Sequence, residues 1–344
     1  MIVAKFGGTS VADAAAIRRT GEIVRGRLGR APVIVVSALA GTTNALLEAA
    51  EEASAGHLVS ALERVEQLRE RHLQTIVELL GNGAEADDLR QETSMMFDEL
   101  AHLAEALSVL GFATPRSMDA VASMGERLSA PICAAAFSRM GIPSVVVDSR
   151  RVMITDDDFG RAAPQPAAIA DACREYLAPI VASGQVPVVG GFVGATSAGI
   201  TTTLGRGGSD YSAALFGAAL DVDAIEIWTD VDGMLTADPR VVQGAQLIEH
   251  IRFDEAAELA SFGAKVLHPS TIAPAVDRDI PVYVFNSMRP QAVGTRITCD
   301  APPCTVRAIA GKRGVVVVRV GSPQMLGTPG ALRAIFEVFD RNRI

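Results

Sequence analysis

The sequence predicts an α/β protein, a three-layer αβα sandwich around a mainly parallel central sheet. Two observations carry this. Short β-branched runs recur: "IVAKF" (2–6), "PVIVVSA" (32–38), "PSVVVD" (143–148), "VPVVGGF" (186–192), "AIEIWTD" (224–230) and "PVYVFN" (281–286). Most are apolar at nearly every position, as in strands buried on both faces of a parallel sheet. Between them lie helical stretches such as "ADAAAIRRTGEIVRGRL" and "PAAIADACREYLAPIVAS", so strands and helices alternate.

Segment 44–113 departs from the alternation. Leu58, Leu62, Val65, Leu68, Leu73, Ile76 and Leu80 follow three- and four-residue steps. After "GNG" at 81–83 a second series runs Leu89, Met96, Leu100, Leu103, Leu107, Leu110. The spacing predicts two amphipathic helices joined by a turn, a core-facing hairpin inserted in the domain. Two short series do not make a long zipper.

A boundary falls near "CDAPPCTVRAIAGKRG" (299–314), where paired prolines and charges mark a linker. Residues 1–300 therefore form the main domain. In the remaining segment, 301–344, one strand, "GVVVVRV" (314–320), and one helix, "PGALRAIFEVFDRNRI" (329–344), follow. A strand and a helix alone cannot bury a core. This tail packs on the main domain, pairs with another chain or belongs to a larger domain.

Composition narrows the function classes. The chain has 344 residues, 49% of them hydrophobic, and a formal net charge of -9. Such a charge argues against nucleic acid as a partner. No apolar stretch approaches the roughly 18 residues of a membrane span. The start "MIVAKFGGTSVADAA" lacks the apolar core of a signal peptide. Cys133, Cys173, Cys299 and Cys304 are sparse, and the C-x4-C pair has no second pair of ligands for zinc. The expectation is a cytoplasmic protein with reduced thiols.

Glycine-rich turns mark the candidate site. "KFGGTSV" (5–11) follows the first strand and places Lys5 at a strand end, with Gly7 and Gly8 in the turn. Ligands of open α/β sheets bind beyond the carboxyl ends of strands, and backbone N–H groups there can face phosphate oxygens. Taken alone, the stretch reads equally well as a tight strand–helix turn with an exposed lysine. "TTLGRGGSDYSAA" (202–214) sets Arg206 and Asp210 among glycines before a run of small residues that reads as a helix, with Ser209 or Asp210 near its cap. A helix N-terminus suits an anion. G-x4-G-K-[ST] is absent, and Asp210 stands where G-x-G-x-x-G needs its third glycine, so P-loop and dinucleotide-binding readings fail. "IWTDVDGMLTADPR" (227–240) leaves a strand end with Thr229 and Asp230. Its acidic residues are solvated loop groups or hold a purine, ribose hydroxyls or Mg2+. "FGAKVLHPSTIAPA" (262–275) contains Lys265 before a probable-helix pattern; His268, next to Pro269, carries no assigned chemistry.

Together with "VVSALAGTTN", "SMGERLSA" and "GFVGATSAG", these motifs occur in an order that resembles the aspartate kinases, from residue 2 to about 300. The resemblance implies the amino-acid kinase fold. It implies transfer of the γ-phosphate of ATP, with Mg2+, to the β-carboxylate of L-aspartate, the first step of lysine, threonine and methionine biosynthesis. The nucleophile would be a substrate carboxylate, ionised at neutral pH, so no strong base is needed. Positive charge and positioning would do the work, with Lys5, Lys265 and Asp210 at the catalytic centre. The resemblance places Lys5, Gly7, Gly8, Thr229, Asp230, Leu235, Arg240, Lys265 and Val266 around ATP. It places Ser37, Thr43, Glu126, Arg206, Gly207, Ser209 and Asp210 around aspartate. Arg206 would grip the α-carboxylate, since a guanidinium makes two parallel bonds, and one of Asp210 and Glu126 would face the ammonium. Mg2+ would be held mainly by the ATP phosphates, without a ligand set from the protein.

Leu235 stands where the family often has a tyrosine near the base, which removes stacking and leaves an apolar wall. The tail resembles the first strand and helix of an ACT domain, the module that helps these enzymes dimerise. The runner-up readings are a kinase for glutamate or N-acetylglutamate, and a silent amino-acid sensor.

Overall fold

A computed structural model describes residues 1–261, 271–302, 304–311, 314, 316, 318–319 and 330–342. Among them the central sheet has eight strands: β1 (Ile2–Phe6), β2 (Pro32–Val36), β3 (Ser144–Val147), β5 (Val186–Gly190), β8 (Ala224–Thr229), β9 (His250–Arg252), β10 (Val282–Asn286) and β11 (Thr295–Thr298). Their order is β3-β5-β2-β1-β8-β10-β11-β9. Pairing is parallel from β3 to β10; β11 then runs antiparallel to β10, and β9 parallel to β11. The all-apolar runs of β1, β2 and β5 are buried along their whole length, because helices cover both faces.

One face packs against α1 (Ala14–Arg25) and α5 (Pro115–Arg139), with Ile17, Val24, Phe137 and Trp228 in one core. The other packs against α6 (Pro166–Tyr176), α8 (Gly208–Leu220) and α10 (Ala273–Val276), with Ile169, Phe216, Ile227 and Ala275 in a second core. The single helix expected over 166–183 is two. The chain breaks at Leu177, and α7 (Ala178–Ala182) restarts with Pro179 in its first turn, where a missing N–H is tolerated.

A second, three-stranded sheet, β4 (Ile154–Thr155), β6 (Val193–Thr196) and β7 (Thr201–Thr203), was not legible in the sequence. Its strands have two to four residues, too few to show a period.

The insert contains three helices where the sequence pattern predicts two. α3 (Leu58–Leu80) and α4 (Ala84–Leu110) form the hairpin around Gly81–Gly83, and α2 (Thr42–Ser54) precedes them. The buried face of α2 is mostly alanine, with Leu46, Ala49, Ala50 and Ala53 against Val65, Phe97, Leu100 and Leu107. Small side chains leave no leucine stripe to read.

Residues 1–310 form one compact unit and 311–344 another. In the second, α11 (Ala331–Arg341) exposes Leu332, Phe336 and Val338. Of the strand expected at 314–320, residues 314, 316, 318 and 319 are described and form no strand, and residues 315, 317 and 320 lie outside the described residues.

One charge sits in the middle of this apolar scaffold. Glu226 of β8 is 1% exposed. Arg27 Nε donates to its two oxygens at 3.1 and 3.0 Å, Arg30 at 2.9 Å and the Trp228 indole at 3.1 Å. The Arg27 guanidinium also lies 5.4 Å from the Trp228 ring centroid. A buried carboxylate is tolerable only while its partners stay. Arg27→Ala should therefore lower the unfolding free energy by about 3 kcal/mol, read as a shift of the urea midpoint. An unchanged midpoint would show that Arg30 and the indole suffice.

Candidate active site

Parallel strands carry their carboxyl ends to one edge of the sheet, and ligands gather there. At this edge lies a cleft of about 750 Å³. Two helices start on it. α2 follows the loop after β2, and α8 follows β7; both first turns line the cleft. Each is preceded by a glycine in the left-handed region, Gly41 at φ 81 and Gly207 at φ 76, and neither cap makes a side-chain hydrogen bond. The residue at the cap of α8 is thus Gly207; Ser209 and Asp210, which the sequence puts near the cap, lie inside the first turn. Glycine accepts this conformation without strain. Thr42, Gly208 and Asp210 donate their N–H groups to the carbonyls of Leu39, Gly205 and Gly207, at 2.9, 3.0 and 3.0 Å; the N–H groups of Thr43 and Asn44 in α2 and of Ser209 in α8 are left for a ligand.

Lys5, one residue before the end of β1, is only 8% exposed, and its Nζ lies 2.6 Å from Asp210 Oδ1. The pair joins the central sheet to the first turn of α8. Glu126 of α5 is 3% exposed. Its Oε1 accepts the Ala38 N–H at 3.1 Å, and Oε2 is buried with no partner. Burial pushes the Glu126 carboxyl up to about 8, against the opposing effects of the Ala38 hydrogen bond and the Lys5 charge. Arg206 lies at the cleft, exposed and without an ion pair among the described residues.

Ser37, Thr43, Gly8, Gly207 and Ser209 also line the cleft, so all seven residues expected around aspartate meet there. The residues expected around ATP divide. Thr229 and Asp230 leave the end of β8, which pairs with β1, and the Thr229 hydroxyl donates to Asp230 at 3.2 Å. Leu235 pairs with Leu247 in a loop beyond that strand end. Gly7 does not offer its N–H to a ligand, because that group donates to the Trp228 carbonyl at 3.0 Å and continues the β1–β8 ladder. Arg240 does not line the cleft. Its exposed guanidinium forks onto Asp238 of its own turn, with Nη2–Oδ2 at 2.7 Å. Lys265, Val266 and His268 lie outside the described residues.

Asp119 of the cleft wall and Arg71, which does not line the cleft, escaped the sequence reading. Asp119 lies seven residues before Glu126, on the same face of α5; that spacing was the available signal. Arg71 of α3 reaches from the insert to donate to the Ala40 carbonyl at 2.7 Å and the Ala12 carbonyl at 2.8 Å. Nothing in its sequence neighbourhood distinguishes it from other surface arginines.

Residues 1–286 match the model of the amino acid kinase family. The chain is 39% identical over 346 residues to the lysine-sensitive aspartokinase 3 of Escherichia coli, covering all of this chain and 74% of that one. It is 37% identical to the chloroplastic aspartokinase 3 of Arabidopsis thaliana, of which it spans 60%. Its fold is similar to the crystal structure of E. coli aspartokinase III in complex with aspartate and ADP, with a TM-score of 0.85, 36% identity and 75% of that chain covered.

The Glu126 carboxyl has a consequence for stability. Between its ordinary value near 4.5 and about 8, the folded protein holds a proton that the unfolded chain has released. Stability therefore falls as pH rises through that window, by up to about 1.4 kcal/mol per pH unit. Glu126→Gln stays neutral throughout, so the variant should lose less stability than the parent between about pH 5.5 and 7.5 in urea unfolding. Parallel losses in the two proteins would show that Glu126 is charged when folded.

Proposed function

The chain belongs to the aspartokinases of the amino acid kinase family, and from that premise we propose that it moves the γ-phosphoryl group of ATP to the β-carboxylate of L-aspartate, giving 4-phospho-L-aspartate. The observation that carries this reading is the charge layout of the cleft. A nearly buried ammonium stands where two helix N-termini open, and a guanidinium without an ion-pair partner among the described residues lines the same cleft.

The reaction asks for little proton chemistry. The attacking carboxylate is ionised at neutral pH, and the transferring phosphoryl group needs positive charge and alignment. Arg206 receives the α-carboxylate in a bidentate pair. Glu126 turns its unpartnered Oε2 to the ammonium, which also draws its proton away. The Ser37 and Thr43 hydroxyls hold the substrate from the β2 side. Lys5 and the free N–H groups of α2 and α8 take up charge on the phosphoryl oxygens, while Asp210 fixes the Lys5 ammonium. Gly8, Thr229, Asp230 and Leu235 flank the nucleotide, and the resemblance assigns Lys265 and Val266 to ATP as well. Arg240 must leave Asp238 to reach a phosphate.

Mg2+ neutralises ATP phosphate charge when bound. Asp230, and Asp210 where it is not held by Lys5, would be the acids available to it.

A coupled ADP assay with hydroxylamine trapping tests the reading; aspartate should yield a hydroxamate. Turnover of glutamate or N-acetylglutamate in its place would move the assignment to another small acid. Arg206→Ala should raise the KM for aspartate roughly a hundredfold and leave that for ATP nearly unchanged, because one anion loses its charge-assisted pair. Lys5→Ala should mainly lower kcat, by roughly a hundredfold or more. Variants that lost only thermal stability would overturn both roles.

A further inference from the structure

We infer that Asp119 is a positioning residue that holds Arg206 at a fixed place in the cleft, and so sets where the α-carboxylate of the substrate can lie. The inference rests on the proposed aspartate site.

Asp119 is 2% exposed although it borders the cleft. All its bonds go to protein. Oδ2 accepts the Gly160 N–H at 2.9 Å and the Thr203 N–H at 3.1 Å, and Oδ1 accepts the Thr203 hydroxyl at 2.6 Å. Thr203 ends β7, and Arg206 follows three residues later. Gly160 flanks the same turn: its carbonyl lies 3.2 Å from where a Cβ on Gly205 would be. One carboxylate therefore grips both walls of the turn that bears Arg206.

Arg206 needs that grip. Its guanidinium has no ion-pair partner among the described residues to orient it. Gly205 and Gly207 on either side have φ of 74 and 76, and the Gly208 N–H closes the turn onto the Gly205 carbonyl at 3.0 Å, so the turn has a local shape but its placement depends on what grips its ends. Nor does the central sheet hold it. β7 belongs to the small sheet, whose ladders do not join the large one. Glu126, by contrast, stands on α5 in the main body. Asp119 is on α5 as well, two helical turns away. The same helix thus bears the candidate ammonium acceptor and the anchor of the carboxylate-binding arginine. The distance between the two subsites is set along one rigid element.

The test is aspartate affinity in purified full-length variants, by calorimetry and by steady-state kinetics. Asp119→Asn keeps one acceptor oxygen for the two backbone N–H groups, turns its NH2 toward the Thr203 hydroxyl and removes the negative charge that strengthens all three bonds. It should weaken aspartate binding and raise its KM roughly ten- to a hundredfold, with kcat and the KM for ATP changed by about twofold or less. Thr203→Val, which removes one donor, should give a smaller rise of about three- to tenfold, and it reads the same grip if Asp119→Asn does not fold. The decisive measurement is the double variant. Asp119→Asn in an Arg206→Ala background should weaken aspartate no further, because the arginine it positions is gone. Additive losses would overturn the inference and mark Asp119 as a general structural residue. Unchanged aspartate affinity in both Asp119→Asn and Thr203→Val would overturn it as well. Absence of aspartate binding in the parent protein would overturn the substrate site itself, and this inference with it.

Discussion

A lysine ammonium near the end of a strand buried on both faces cannot stand alone. Lys5 has little access to water, so its charge must be compensated nearby, and the compensation comes from Asp210 at 2.6 Å. That pair dictates much else. It requires the first turn of α8 to press against the edge of the sheet, which is why the start of α8 is small. A Cβ on Gly191 would lie 2.7 Å from the Ser209 Cβ, and one on Gly208 would lie 2.7 Å from the Phe192 ring. The close approach brings the positive end of the α8 dipole to the same place as the lysine. An ammonium and a positive helix end thus meet in a chain that is acidic as a whole.

The two acids of the cleft divide according to their surroundings. Asp210 has a cation within bonding distance. Glu126 has one backbone N–H and a distant lysine, and its second oxygen has nothing. Burial therefore dominates its behaviour and favours the neutral form. A ligand that brings an ammonium to Oε2 supplies the missing partner and lets the carboxyl ionise, a proton release that burial alone opposes. Spacing in the sequence cannot separate these two carboxylates, because the difference lies in what folds around them.

That distinction marks where sequence reading succeeds and where it stops. The parallel core was legible in β1, β2 and β5 because burial on both faces leaves no polar position to obscure the run. The cleft was legible in Lys5, Arg206 and Asp210 because glycines punctuate the chain there, and each sits at an element boundary. Gly7 was misread as a phosphate donor. Its N–H is taken by Trp228 across a strand pairing that no local pattern reveals. Arg240, which the resemblance places around ATP, is held by Asp238 of its own turn. The small sheet, the alanine-faced α2 and the long-range bonds of Asp119 left no periodic signal. They depend on contacts between residues 40 to 84 positions apart or on side chains too small to form a stripe.

The helical insert shows how a peripheral element reaches the chemistry without entering it. Arg71 divides one guanidinium between the carbonyl of Ala12, at the end of the turn after β1, and that of Ala40, just before the cap of α2. A planar fork with fixed N–H directions cannot satisfy both carbonyls unless the two loops keep their separation. A Cβ on Gly8 would come within 3.1 Å of the Ala38 carbonyl, so these loops are already in contact on the cleft side. Contact on one side and a rigid fork on the other leave the loops little freedom to slide. The turn that follows Lys5 and the helix end that faces it are held at one spacing, and the hairpin that bears Arg71 gains a structural reason for its place beside the site.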